Sequence, residues 1–371
     1  MIRILHVVSN MDRAGIESML MNYYRHIDRN QVQFDFLCNK TKPGEYDDEI
    51  KSLGGKIYHT PGLNPFKYGQ YLKFFKEFTT EHPEYKIIHA HNDAFVFYSL
   101  CAAKLCNIPV RISHVHCALF PFDYKWPLKI FCRPLIKYVC TDKWACGEKA
   151  GKFFYSQNAK FHVHNNAINI EKFKFNNEIR QRLRKQFHLE DNIVIGHVGR
   201  FTKVKNHSFL INVFHEVCKQ NNKAKLVLLG EGPEMETIRA KVNSYKLTDK
   251  VIFMGLVENT YEWYQAFDLF ILPSISEGLP VVGIEAQAAD LPCVYSNNVT
   301  REIEILPSCA FLDRSESPKK WADTCLDLIY NHANRICRYK EIKEAGYDIK
   351  EEAIKLMNFY KQKIKEVESA K

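Results

Sequence analysis

The sequence predicts an α/β protein made of two doubly wound, parallel-sheet domains, and three observations predict it. Residues 2–27 and 192–217 open alike, each with an apolar strand, a polar loop and an amphipathic helix. Along the rest of the chain, short apolar runs alternate with helical periodicities, the pattern of parallel strands joined by crossover helices. The 371 residues also exceed the ~100–200 residues of a typical domain.

Each element has its own signal. Ile2–Val8 reads as the first strand. A helix follows whose apolar positions Ile16, Met19, Leu20, Tyr23 and Ile27 share one face, and then a strand at Val32–Cys38. Further strands are expected at Lys86–Ala90, Val110–His116 and Lys143–Cys146. The second opening runs from the strand 192–199 through a basic loop to a helix carrying Phe209, Leu210, Val213, Phe214 and Val217. The strand Lys225–Leu229 enters the glycine turn Gly230-Glu231-Gly232-Pro233, and strands at Val251–Phe253, Leu269–Leu272 and Pro292–Tyr295 follow. Asp348 and Glu351 form the D-x-x-E of a capping box ahead of a last helix with Ile349, Ala353, Ile354, Met357, Tyr360 and Ile364 at helical spacing. The charged stretch 180–191 marks the junction, giving domains 1–188 and 189–345 and a terminal helix 346–371.

Composition limits the function. The 25 Phe, 19 Tyr and 4 Trp exclude a disordered polymer. No apolar run reaches the ~18–20 residues that span a bilayer, and the opening residues read as a strand rather than a secretory signal. A cytoplasmic protein is expected, at most peripheral on the inner membrane. The twelve cysteines contain no C-x-x-C pair and read as free thiols in a reducing compartment.

The net charge of +9 is uneven. Residues 101–190 hold 16 Lys/Arg against 6 Asp/Glu, whereas residues 1–100 balance at 12 against 12 and residues 191–371 at 24 against 25. Such a block suits an anionic membrane surface or an anionic substrate. Nucleic acid is not expected, because no recognised binding module accompanies the charge. Within the block Lys125, Lys129, Arg133 and Lys137 recur every four residues beside an apolar face of Leu128, Phe131, Cys132, Leu135, Ile136 and Val139. Phe120, Pro121, Phe122, Tyr124 and Trp126 precede them. Residues 120–140 therefore read as a membrane-surface helix with interfacial aromatics. An ordinary crossover helix with its cations in water is the alternative, and Pro134 interrupts either.

Ligands of open α/β sheets bind beyond the C-terminal ends of strands, where helix N-termini present free N–H groups. At one such end stands Gly199-Arg200-Phe201-Thr202-Lys203-Val204-Lys205-Asn206, whose cations suit a diphosphate. The turn at Gly230 lacks the third glycine of a dinucleotide fingerprint and reads as an ordinary strand-to-helix turn. At another end Pro273-Ser274-Ile275-Ser276-Glu277-Gly278-Leu279-Pro280 precedes a helix containing Glu285. Pro280 suits the first helical position and leaves Glu277 in the loop. Two carboxylates and a glycine between them can grip hydroxyls, phosphate and ribose.

The E-G-x-x-x-x-x-x-E pattern at 277–285, with Gly199-Arg200 and Lys205-Asn206, resembles the retaining nucleotide-sugar glycosyltransferases of family 4. The likeness extends over essentially the whole chain, through Asn166-Ala167-Ile168-Asn169, Phe253-Met254-Gly255 and the stretch 266–274. It looks most like bacterial enzymes of capsular, exopolysaccharide or O-antigen assembly. This resemblance implies the GT-B fold: two Rossmann-like domains facing across a cleft, with the C-terminal helix returning to the N-terminal, acceptor-side domain. It also implies a nucleotide-diphosphate sugar, UDP preferred, as donor substrate, a lipid-linked or saccharide acceptor, and no cofactor or metal. Arg200 and Lys205 would hold the diphosphate and Glu277, with the N–H groups of Gly278 and Leu279, the donor sugar. Glu285 would bind the ribose, and Gly255, Leu256 and Val257 would line the base. Gly15 matches the glycine loop facing the phosphates, and His116 the histidine beside the transferred sugar. The chain departs from the family at Ala14, commonly glycine, and at Asn165-Asn166-Ala167, often Pro-Asn-Gly. A UDP-sugar 2-epimerase of the same architecture and a non-catalytic sugar-nucleotide-binding protein are the competing readings.

Three H-x-H pairs remain: His89/His91, His114/His116 and His162/His164. Alternate residues of a strand share a face, so each pair could present two imidazoles to one metal. No Asp/Glu-rich motif accompanies them, and no metal is expected.

Overall fold

A computed structural model describes residues 1–118, 120, 124–332 and 334–369. They form two compact units, Met1–Ala167 with Asp348–Lys371, and Ile168–Tyr347. The junction expected at 188 thus lies at Ala167/Ile168. The helix Asn177–Gln186 is no linker: Arg180 and Arg184 both pair with Asp268, and the Asn176 N–H donates to Gln265 Oε1 at 3.0 Å. A charged helix reads as a solvated boundary when its partner stands more than 80 residues away.

The first unit holds β1 (Ile2–Val8), β2 (Val32–Cys38), β3 (Ile57–His59), β4 (Ile87–Ala90), β5 (Val110–Val115), β6 (Asp142–Ala145) and β7 (His162–Val163). All are parallel, in the order β3-β2-β1-β4-β5-β6-β7. The edge strands β3 and β7 were not expected, being too short to show any periodicity. Phe34, Phe36, Tyr24 and Trp144 are buried in its core. The C-terminal helix Ile349–Ser369 lays Ala353, Leu356, Met357 and Tyr360 on that core. Its start is held by the Asp348 carboxylate, which accepts the Lys350 N–H at 3.0 Å.

In the second unit β8 (Ile193–Val198), β9 (Ala224–Leu229), β10 (Val251–Gly255), β11 (Leu269–Leu272), β12 (Cys293–Ser296) and β13 (Cys309–Leu312) form a parallel sheet ordered β10-β9-β8-β11-β12-β13. Here β13, half-buried at the edge, went unexpected. In both sheets the strand order reverses beside the first strand, at β1/β4 and at β8/β11. These are the switch points beyond which such sheets bind ligands.

The basic segment corrects one expectation. Pro121 and Phe122 lie outside the described residues. The rest forms a helix over Trp126–Cys132 and a 3₁₀ turn over Arg133–Tyr138, a change of winding that meets Pro134. Its faces follow the spacing at Cys132, Ile136 and Val139, which are buried, and at Lys125 and Lys137, which are exposed. They depart from it at Lys129, buried with its ammonium over the Phe120 ring, and at Phe131, 64% exposed. With the true junction, the first unit carries 28 basic and 20 acidic residues and the second 24 and 23. Part of the block 101–190 belongs to the second unit, yet the excess remains with the first.

Candidate functional site

In the second unit the predicted residues converge at the β8/β11 switch point. The loop after β8 is braced by backbone contact. Gly199 N–H donates to Leu229 O, and Phe201 N–H to Glu231 O, each at 2.9 Å. Gly230 has φ +129°, and a Cβ there would stand 2.3 Å from Gly199 O. The turn that looked ordinary in sequence is therefore a close-packed support for the basic loop, and this approach requires glycine.

Lys205 lies at the end of a short 3₁₀ turn, and its Nζ donates to Glu277 Oε1 at 2.7 Å. Both side chains are largely covered, at 19% and 14% exposed. The two loops are also tied by Ile275 N–H to Val204 O at 2.7 Å and by Asn206 Nδ2 to Pro273 O at 3.3 Å. An ammonium has three protons and a carboxylate about four lone-pair sites. The pair therefore fixes both groups and leaves each able to bind: Lys205 an anion, Glu277 hydroxyl donors. Arg200 is exposed, with no side-chain partner among the described residues.

The helix after Glu277 spans Val281–Ala288, with Pro280 as its extended cap rather than its first residue. The N–H groups of Gly278 and Leu279 find no acceptor among the described residues. Glu285 lies within the helix and accepts from the Tyr264 hydroxyl at 2.8 Å. Burial pushes its carboxyl up to about 7, against the lowering effect of that hydroxyl. Gly255 takes φ +66° at the end of β10, next to Glu231; Leu256 is exposed and Val257 half-buried. Beneath the basic loop His207 stacks on Phe201 at 4.0 Å, and His197 Nδ1 meets Ile271 O at 2.8 Å. Burial keeps both rings neutral, His207 being lowered to about 4.

A cavity of about 930 Å³ opens at the opposite, N-terminal ends of β8 and β11. Its arginines, Arg180, Arg184 and Arg335, already donate to Asp268 and to backbone carbonyls. We place the site at the strand C-termini instead, where donors and acceptors remain uncommitted.

In the first unit Gly15 begins the helix Gly15–His26, directly after the loop that leaves β1. Glu17, in the first turn, is pushed up to about 7, mainly by burial. The histidines gather on one face of the sheet. His6 Nδ1 stands 3.1 Å from His91 Nε2, and His91 Nδ1 stands 3.0 Å from His116 Nε2. Beside them, His89 Nε2 is 3.2 Å from His114 Nδ1, and His89 Nδ1 is 2.7 Å from the Tyr360 hydroxyl. His164 is buried next to Trp144 and Tyr23, while His162 is exposed on the edge strand. Burial lowers all the clustered rings, His6 and His116 to about 3.

His6, His89 and His91, and likewise His91, His114 and His116, come close enough to bind a metal ion. The contacts just given pair their nitrogens with one another at hydrogen-bond spacing, which needs a proton between each pair. Sequence reasoning missed His6, Tyr264 and also Asp93, a half-buried carboxyl at φ +45° after β4 that accepts from the Cys117 thiol at 3.4 Å. Strand register and remote packing bring these residues in, and no local motif signals either.

The chain as a whole is similar to known proteins. A family model described as Glycosyltransferase Family 4 matches residues 13–172, and one described as Glycosyl transferases group 1 matches residues 192–331. The chain is 34% identical over 369 residues to the putative glycosyltransferase EpsF of Bacillus subtilis, covering 96% of each. It is 26% identical to the capsular polysaccharide biosynthesis glycosyltransferase CapH of Staphylococcus aureus, over 89% of this chain and 91% of that one. It is 24% identical to the Escherichia coli UDP-Gal:alpha-D-GlcNAc-diphosphoundecaprenol alpha-1,3-galactosyltransferase, over 80% and 79%. Among solved structures, Anabaena HepE in complex with UDP-glucose superposes with a TM-score of 0.79 at 16% identity, over 98% of this chain and 100% of that one. The length of the first match and the two family models together show that the chain belongs to the family 4 glycosyltransferases of GT-B fold.

Proposed function

We propose that this glycosyltransferase moves a hexose, with retention of configuration, from a UDP-sugar to a lipid-linked or saccharide acceptor in surface polysaccharide assembly. The observation that carries the reading is the Lys205–Glu277 pair at the β8/β11 switch point, with Glu285 one helical turn beyond. Arg200 and Lys205 would bind the diphosphate and stabilise the charge that develops as it leaves. Glu277 and the N–H groups of Gly278 and Leu279 take the sugar hydroxyls, Glu285 the ribose, and Gly255–Val257 the base. Gly15 and His116 are assigned, by the resemblance, to the phosphates and to the transferred sugar. In same-face attack the departing phosphate helps take the acceptor proton. Two placed cations suffice for its charge, so the reading needs neither metal nor cofactor.

UDP as the nucleotide is supported by the names of the galactosyltransferase relative and the UDP-bound neighbours. A panel of nucleotide sugars, screened by thermal shift and then by transfer to lipid-diphosphate sugars, tests the reading. Release of an epimerised free sugar nucleotide would replace it with the epimerase, and binding without turnover would replace it with a non-catalytic binder. We also place residues 120–140 at a membrane. Among the described residues no helix is long and apolar enough to cross one. Support comes from Tyr124, Phe131 and Tyr138 standing exposed beside Lys125 and Lys137. Flotation with anionic vesicles is expected to carry the protein; flotation unaffected by lipid charge would remove this contact.

A further inference from the structure

The three-ring chain His6–His91–His116 admits only two proton arrangements when all rings are neutral, because each N···N contact must hold one proton. In one, every ring carries its proton on Nδ1. His6 donates to His91, His91 donates to His116, and His116 Nδ1–H points to no partner among the described residues. In the other, every ring is protonated on Nε2 and the chain donates in reverse. The buried end decides between them. His6 Nε2 is fully buried without a partner, and there an unpaired N–H is the rarer and costlier orphan. The Phe34 ring, 4.2 Å from the His6 ring, offers such a proton only a second-order contact. A bare lone pair at His6 Nε2 forces the Nδ1–H form along the whole chain.

We propose that His6 and His91 are positioning residues that hold His116 as its Nδ1–H tautomer, so that His116 meets the substrate as a hydrogen-bond donor and not as a base. The inference rests on the proposed place of His116 beside the transferred sugar. The neighbouring chain follows the same rule. His114 Nε2 is buried and unpartnered, so His114 donates from Nδ1 to His89, and His89 from Nδ1 to Tyr360. The low proton affinity of all these rings agrees with a neutral array.

The test is a long-range 1H–15N correlation spectrum of the full-length protein labelled at histidine nitrogen, with single substitutions assigning the rings. His116 is expected to be neutral with its proton on Nδ1. His91→Asn keeps an N–H donor near the His91 Nδ1 position; it should preserve that tautomer and most of kcat. His91→Leu removes the donor and should lower kcat about tenfold or more at unchanged donor KM, with His116 no longer in one form. An Nε2–H signal for His116 overturns the proposal, as does equal turnover of the Asn and Leu variants. Stoichiometric zinc retained by His91 and His116 after chelator washing overturns it too. Should the Leu variant fail to fold, the wild-type spectrum decides alone. Should no nucleotide sugar support turnover while His116 shows the expected tautomer, the functional reading falls and the tautomer lock stands.

Discussion

The two units share a topology and treat charge in opposite ways. The second has a net charge of only +1, yet it sets Arg200, Lys203 and Lys205 at the end of one strand and steadies Lys205 with Glu277. The first carries +8, yet the inner face of its sheet holds uncharged imidazoles, and part of its excess lies on the exposed segment around 124–138. Net charge therefore does not locate the candidate site. Desolvation removes protons from the buried histidines, while Arg200 and Lys203 stand exposed on the loop after β8 and remain available to an anion.

The sharpest way to break the comparison is Arg200→Ala. Losing one cation at a developing phosphate charge should cut kcat by about 10²–10³-fold at unchanged melting temperature. Near-normal turnover would show that the exposed arginine takes no part. Next comes Asp268→Ala, which leaves Arg180 and Arg184 facing each other without their carboxylate. Breaking such a covered ion cluster should destabilise the second unit by about 3 kcal/mol, read by denaturant unfolding. A variant as stable as wild type would return the helix Asn177–Gln186 to the role of a linker.

Glu285 supplies a pH test. Its folded carboxyl holds its proton up to about 7, whereas the unfolded one releases it near 4.5. This group's contribution to stability therefore falls as pH rises between those values. Affinity should move the other way, because only the carboxylate accepts from both ribose hydroxyls. Titration calorimetry with a UDP-sugar, whose diphosphate has no proton to lose near about pH 6, should show tightening toward pH 8. Glu285→Gln should flatten the profile, and Tyr264→Phe should push its midpoint higher. A flat wild-type profile would remove Glu285 from the ribose. The smallest effect is expected at the surface: Lys125→Ser with Lys137→Ser should weaken anionic-vesicle binding by about 1 kcal/mol per cation, leaving kinetics with a soluble acceptor unchanged.

Strands such as Ile2–Val8 and Leu269–Leu272 were legible because a buried parallel strand is a continuous apolar run. Glu277 and Glu285 were legible because one loop and the helix after it carry both. The β3, β7 and β13 edges were not, since two to four half-covered residues make no pattern. The segment 124–138 was legible only in part: Lys129 is buried with its ammonium over the ring of Phe120, a partner nine positions back that the four-residue spacing does not show.

By itself the sequence determined the two parallel-sheet halves, through periodicity, and the resemblance to the family, through the residues close along the chain in the loops after β8 and β11. Only the tertiary structure decided that the junction lies at Ala167, that Gly230 supports the basic loop, and that Lys205 reaches Glu277. It also decided that His6 closes a chain through His91 to His116. Those features depend on register and on contacts between residues tens of positions apart, where packing and desolvation act and local sequence carries no record of the partner.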